Sequence, residues 1–110
     1  MAQAEYAIVT ATYPDSQTAK QAAMQLVDMR LAACVQLFPI NSVYLWQGEI
    51  CDENETVLVI KSRASLFDAV RAAIEANHPY EVPEIVQIPI ADGLPAYLRW
   101  ISDCTEGAVP

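Results

Sequence analysis

The spacing of hydrophobic positions changes several times along the chain, and each change marks an element. Tyr6 to Thr12 alternates, with Ala7, Val9 and Ala11 on one face and Ile8 among the larger residues on the other, which predicts a strand. Pro14-Asp15-Ser16 supplies a turn and a cap. From about Ser16 to Arg30 the period lengthens, and Ala19, Ala22, Ala23, Leu26 and Met29 share one helical face whose small alanines let it lie close to a sheet. Ala32 to Phe38 predicts a second strand. Pro39 cannot donate to a ladder, so it interrupts pairing as a bend or bulge, or marks an edge. Pairing is expected to resume at Asn41 or Ser42 and run through Val43-Tyr44-Leu45-Trp46 to about Ile50, with Cys51-Asp52-Glu53-Asn54 as the hairpin turn. Gln47-Gly48 is the competing turn. Glu55 to Ser62 completes a hairpin that is long for so small a domain, with Tyr44, Leu45, Trp46 and Ile50 near a projecting tip.

Ser65-Leu66-Phe67-Asp68 has the form of a capping box and opens a second helix to about Asn77, burying Phe67, Val70, Ala73 and Ile74. The connector Asn77-His78-Pro79-Tyr80-Glu81-Val82-Pro83-Glu84-Ile85 follows. Its prolines fix φ at Pro79 and Pro83 and push His78 and Val82 towards extended geometry. Such a stiff segment holds side chains in place as well as joining two elements. Ile85 to Ile90 is a fourth strand, Asp92-Gly93 breaks the chain, and Pro95 begins a short helix to about Ser102 with a stripe of Leu94, Tyr97, Leu98 and Ile101. Residues from about 104 to 110 read as a frayed tail. The order βαββαβ plus one helix predicts an α+β, ferredoxin-like sandwich in a single domain over residues 1–110. Helices cover one face of such a sheet; the other face, being this apolar, is expected to meet a partner, which predicts an oligomer.

Charge narrows the function classes. Six Lys+Arg against fourteen Asp+Glu leave a net −8, which disfavours nucleic acid and anionic membranes and attracts cations. No basic leader precedes an apolar run at the start and no stretch is long enough to span a membrane, so the expected location is the cytoplasm, without membrane insertion. Cys34, Cys51 and Cys104 are odd in number and widely spaced, which fits a reducing compartment and no disulfide framework. Cys34 is expected as a buried hydrophobe and Cys51 as an unreactive thiol in an acidic turn.

Several segments together resemble the CutA family of divalent-ion tolerance proteins. They are Ala32-Ala33-Cys34-Val35, Tyr44-Leu45-Trp46-Gln47-Gly48-Glu49-Ile50, Val59-Ile60-Lys61-Ser62, the His78–Ile85 connector and Tyr97-Leu98-Arg99-Trp100. The similarity runs from about Ile8 to Trp100. It implies a homotrimer with hairpins packed between neighbours, a link to copper and other divalent cations, no established catalysis, and a structural likeness to PII signalling proteins. Family members can carry a second histidine before this one and a cysteine near the end of the first strand; here those positions are Asn77 and Ala11.

Two readings of the connector stay open. His78 is the one imidazole in the chain, and copper(II) and zinc favour imidazole, with Glu81 and Glu84 as oxygen donors nearby. It also ends a helix, where an imidazolium suits the C-terminal dipole. Trp46, Lys61, Tyr80 and Glu84 are side chains of the kind that line small-ligand clefts, and in a trimer such clefts form between subunits. Lys61 would offer charge to an anion and Tyr80 a hydroxyl, while Trp46 equally suits packing against a neighbour. No nucleophile stands beside a base and no glycine-rich phosphate loop exists, so an enzyme is not expected. The expectation is a homotrimer in divalent-cation tolerance that needs no cofactor and has Cu(II) or another divalent cation as ligand through His78. The alternative is a PII-like sensor with a small ligand in inter-subunit clefts and a protein partner the sequence does not name.

Overall fold

A computed structural model describes residues 4–108. β1 (Tyr6–Tyr13) leads through a turn to α1 (Ser16–Asp28); β2 (Cys34–Trp46) and β3 (Glu49–Arg63) form a long hairpin. A 3₁₀ turn (Ala64–Leu66) runs into α2 (Phe67–Asn77), followed by β4 (Ile85–Pro89) and α3 (Pro95–Cys104). The four strands form one antiparallel sheet in the order β2-β3-β1-β4. This is the ferredoxin-like arrangement, with the hairpin stretching the molecule to 44 Å on its long axis.

Register assigns the two faces. Val9 pairs with Ile60 and Ala11 with Leu58, and these residues turn towards α1 and α2. There Ala19, Ala23 and Leu26 of α1 and Val70 and Ile74 of α2 bury them. Fully burying side chains such as Leu58 and Ile60 contributes about 1.5–3 kcal/mol each. The other face carries Ile8, Phe38, Val57, Val59, Val86 and Ile88, and Phe38, Val86 and Ile88 are exposed. α3 covers only one end of that face: Tyr6 hydrogen-bonds Ser102 across 2.6 Å, and the Lys61 ammonium lies 5.6 Å from the centre of the Tyr97 ring.

α1 stops by a Schellman motif. The Leu31 N–H reaches the Leu26 carbonyl, the Arg30 N–H reaches that of Val27, and Arg30 sits at φ 59, where glycine is the usual occupant. Leu31 and Leu26, the hydrophobic pair of that motif, are both buried.

The structure corrects several sequence expectations. The hairpin turns at Gln47-Gly48, both at positive φ (51 and 81), which is the geometry that matches strand twist in a two-residue loop. Cys51 to Asn54 therefore lies inside β3, where the Asn41 side chain donates to Asp52 and to the Glu53 carbonyl across the ladder. Pro39 does not interrupt β2: pairing runs in constant register from Cys34↔Lys61 to Trp46↔Glu49, with Pro39 opposite Thr56. The strand is at the sheet edge, the other expectation for Pro39 and a place where a missing donor is tolerated. The capping box does not form; Leu66 precedes α2 and no side chain caps it. Instead Ala64 donates its N–H to the Glu5 carbonyl, and Leu66 and Phe67 pack on the core. Cys34 lies on the face away from the helices and is half-buried. The frayed tail expected from about position 104 is not found over residues 104–108. Thr105 is fully buried and takes Nε and Nη2 of Arg63 at 2.9 Å each, and Ala108 packs on the core. Val109 and Pro110 lie outside the described residues.

Candidate functional site

The connector between α2 and β4 organises the site. α2 ends at Asn77, whose amide donates to Gln25 of α1 at 3.0 Å. His78 then takes φ −79 and ψ 135, the extended geometry that a following proline imposes. Its ring lies between Tyr13 (centroids 4.4 Å apart) and Tyr80 (4.9 Å). Nδ1 accepts the Tyr80 backbone N–H at 3.1 Å, so the proton sits on Nε2, which donates to the Thr12 carbonyl at 2.7 Å. His78 thus pins the connector to β1 and sets the direction of Tyr80.

Tyr80 completes the chain of contacts by donating its hydroxyl to Glu55 Oε2 of β3 at 2.7 Å. Burial, and then the Glu55 carboxylate beside it, push the Tyr80 phenol pKa well above the usual tyrosine value. Burial raises Tyr13 to about 12. At Tyr44 desolvation, followed by the charges of Glu53 and Cys51, also pushes the phenol up. All three phenols are held protonated first by burial, with neighbouring negative charge adding to the shift at Tyr80 and Tyr44.

These residues frame a cleft of about 630 Å³ between the hairpin and the connector. Tyr44, Trp46 and Tyr80 contribute aromatic surface; Val43, Pro79 and Val82 add apolar surface; Glu55, Glu81 and Glu84 contribute carboxylates. Trp46, Tyr80 and Glu84 therefore meet, as the sequence suggested. Lys61 does not join them within one chain, because it lies at the other end of β3 over the Tyr97 ring. His78 stands behind the cleft, with both ring nitrogens engaged by backbone. Among the described residues no group of three or more His, Cys, Asp or Glu converges as a metal site. A copper(II) or zinc ion prefers several converging donors, and the described residues of one chain do not bring them together. Sequence reasoning missed Glu55, Tyr44 and Thr12. The signal for Glu55 was its place two residues before Val57 on an alternating strand, obscured by placing the hairpin turn at 51–54.

A family model described as the CutA1 divalent ion tolerance protein matches residues 7–104. The chain belongs to that family. The divalent-cation tolerance protein CutA of Thermus thermophilus is 41% identical over 99 residues, covering 89% of this chain and 96% of its own. The mouse protein CutA is 42% identical over 96 residues, covering 86% of this chain; the chain spans about half of the mouse protein, 54%. Among solved structures, the periplasmic divalent cation tolerance protein CutA of Archaeoglobus fulgidus superposes with a TM-score of 0.91 at 37% identity, covering 92% of this chain and 99% of that one. CutA1 from Shewanella sp. SIB1 gives 0.91 at 36%, covering 96% and 99%. The CutA fold thus extends over the hairpin, the connector and α3 alike.

Proposed function

We propose that this chain is a non-enzymatic CutA protein that works as a homotrimer in divalent-cation tolerance in the cytoplasm. It needs no cofactor and takes copper(II) or another divalent cation as its ligand. The observation that carries the assembly is the apolar surface left uncovered on one chain. Leu45 is 70% and Ile50 79% exposed at the hairpin tip, and Phe38, Val86 and Ile88 lie open on the sheet. Patches of this kind mark association surfaces. The net charge of −8 favours cations over anions, in keeping with the family's link to divalent ions.

A direct metal role would run through His78, whose ring must first give up either the Thr12 carbonyl or the Tyr80 N–H. Two measurements test the proposal. Light scattering at micromolar concentration should give three times the 12.1 kDa chain mass; a single-chain mass overturns the trimer. Copper(II) titration against a competing chelator, read by calorimetry and electron paramagnetic resonance, should lose its tight phase in His78→Ala. Binding that is weak and indifferent to that substitution leaves His78 structural. The second reading, a PII-like sensor of a small ligand, is favoured by one observation: Trp46, Tyr80 and Glu84 share a single cleft.

A further inference from the structure

Glu55 is 7% exposed, yet among the described residues no cation reaches it and the neutral Tyr80 hydroxyl is its one hydrogen-bond donor, on Oε2. No sealed side-chain oxygen in the described structure lacks a partner, so Oε1, which has none, is the oxygen that keeps contact with solvent. Glu55 lines the cleft, and that is where the contact lies. A carboxylate so withdrawn from water favours a positive partner with donors of its own.

The rest of the lining specifies what kind. Lys, Arg and His are absent from it, and Glu81 and Glu84 add negative charge at the rim. Within one chain the lining therefore repels an anion. A bare metal ion lacks the converging third donor it would need. Aromatic faces from Tyr44, Trp46 and Tyr80 instead suit an ammonium head, attracted by the ring quadrupoles. Val43, Pro79 and Val82 supply apolar wall for a carbon chain attached to it. The volume of about 630 Å³ holds a small molecule with room to spare.

We infer that the cleft is a binding site for a primary alkylammonium, its nitrogen donating to Glu55 Oε1 and its chain lying along the apolar wall. This goes beyond the metal reading and does not depend on it, since the test contains no metal. The full-length protein in its native assembly is titrated calorimetrically with n-hexylammonium chloride and, at matched ionic strength, with n-hexanol, which has the same chain and no charge. Hexylammonium should bind and hexanol should bind roughly ten- to a hundredfold more weakly, the range expected for a hydrogen bond to a charged group. Glu55→Gln, which keeps the acceptor for Tyr80, should lose a similar factor. Equal binding of amine and alcohol to the unsubstituted protein overturns the inference without any variant. Hexylammonium binding that arises only in Lys61→Met also overturns it, because the occupant would then be the lysine of a second copy. Copper tolerance and trimer mass are read separately, so their failure leaves this result intact.

Discussion

Removing the Tyr80 hydroxyl isolates the contact that ties the connector to the hairpin. In Tyr80→Phe the ring and its packing against His78 remain, while Glu55 Oε2 loses its donor at 2.7 Å. A hydrogen bond to a charged group contributes about 1.5–3 kcal/mol net, and one between neutral groups about 0.5–1.5. Glu55 is too buried for water to replace the phenol fully, so the cost should fall in the upper range, about 1.5–3 kcal/mol. The same truncation made in Glu55→Gln should cost only about 0.5–1.5 kcal/mol, and the difference between the two is the coupling due to charge. Urea unfolding at fixed protomer concentration measures both, with m-values checked for constancy because assembly contributes to the apparent stability. Tyr97→Phe is the control: its hydroxyl makes no hydrogen bond among the described residues, so the change should stay within about 0.5 kcal/mol. A Tyr80→Phe cost no larger than that control, or one identical in the two backgrounds, would refute the account of Glu55 as a buried charge held by Tyr80.

Arg30 occupies a left-handed position that glycine fills without strain, so Arg30→Gly should raise stability by roughly 1 kcal/mol in urea unfolding; a loss would mean that the Arg30 side chain contributes more than its backbone costs. Tyr13 is raised to about 12, against about 10 in an unfolded chain. The unfolded state therefore releases its proton first, and stability is full below pH 10 and falls as pH rises from 10 towards 12. Tyr13→Phe should flatten that alkaline decline, seen in thermal melts across the range, and an unchanged slope would remove Tyr13 as its source. Trp46→Ala should loosen assembly on dilution, by about 2 kcal/mol or more if Trp46 is an interface anchor, whereas Cys51→Ala should have little effect; sedimentation shifts of equal size would end the packing role of Trp46.

Most of the fold was legible because period and punctuation agree over long stretches. Ala7, Val9 and Ala11 face the helices as their alternation requires, and Ala19, Ala23 and Leu26 form the buried stripe of α1. The errors have local causes. Cys51-Asp52-Glu53-Asn54 looks like a turn by polarity, yet these residues pair across an exposed ladder that tolerates polar side chains, whereas the type I′ turn used here needs positive φ at both positions. Gly48 offers that freely; Gln47 adopts it against its preference, and nothing in its side chain announces this. Pro39 left a break and an edge both open, because sequence does not reveal which strand will be at the edge, and the edge is what the sheet order shows. The capping box failed because tertiary contacts, the Glu5 carbonyl for Ala64 and the core for Leu66 and Phe67, decide how that helix begins.

The hairpin also fixes where Lys61 lies relative to the cleft. Once the turn is placed at Gln47-Gly48, Trp46 pairs with Glu49, and Lys61 lies twelve residues further along one continuous strand. At about 3.4 Å per residue that is roughly 40 Å, close to the full 44 Å length of the molecule. Trp46 and Lys61 therefore cannot share a cleft within one chain. Glu55, by contrast, sits on the same face of β3 as Val57 and Val59, opposite the connector that the prolines hold in place. His78 and Tyr80, two residues apart, divide the work by direction: one ring turns inward to the Thr12 backbone, and the other reaches across to the strand. Strand register and a proline-fixed connector together make the cleft of a single chain acidic. Its preference for positive ligands follows from backbone geometry as much as from the chain's overall charge.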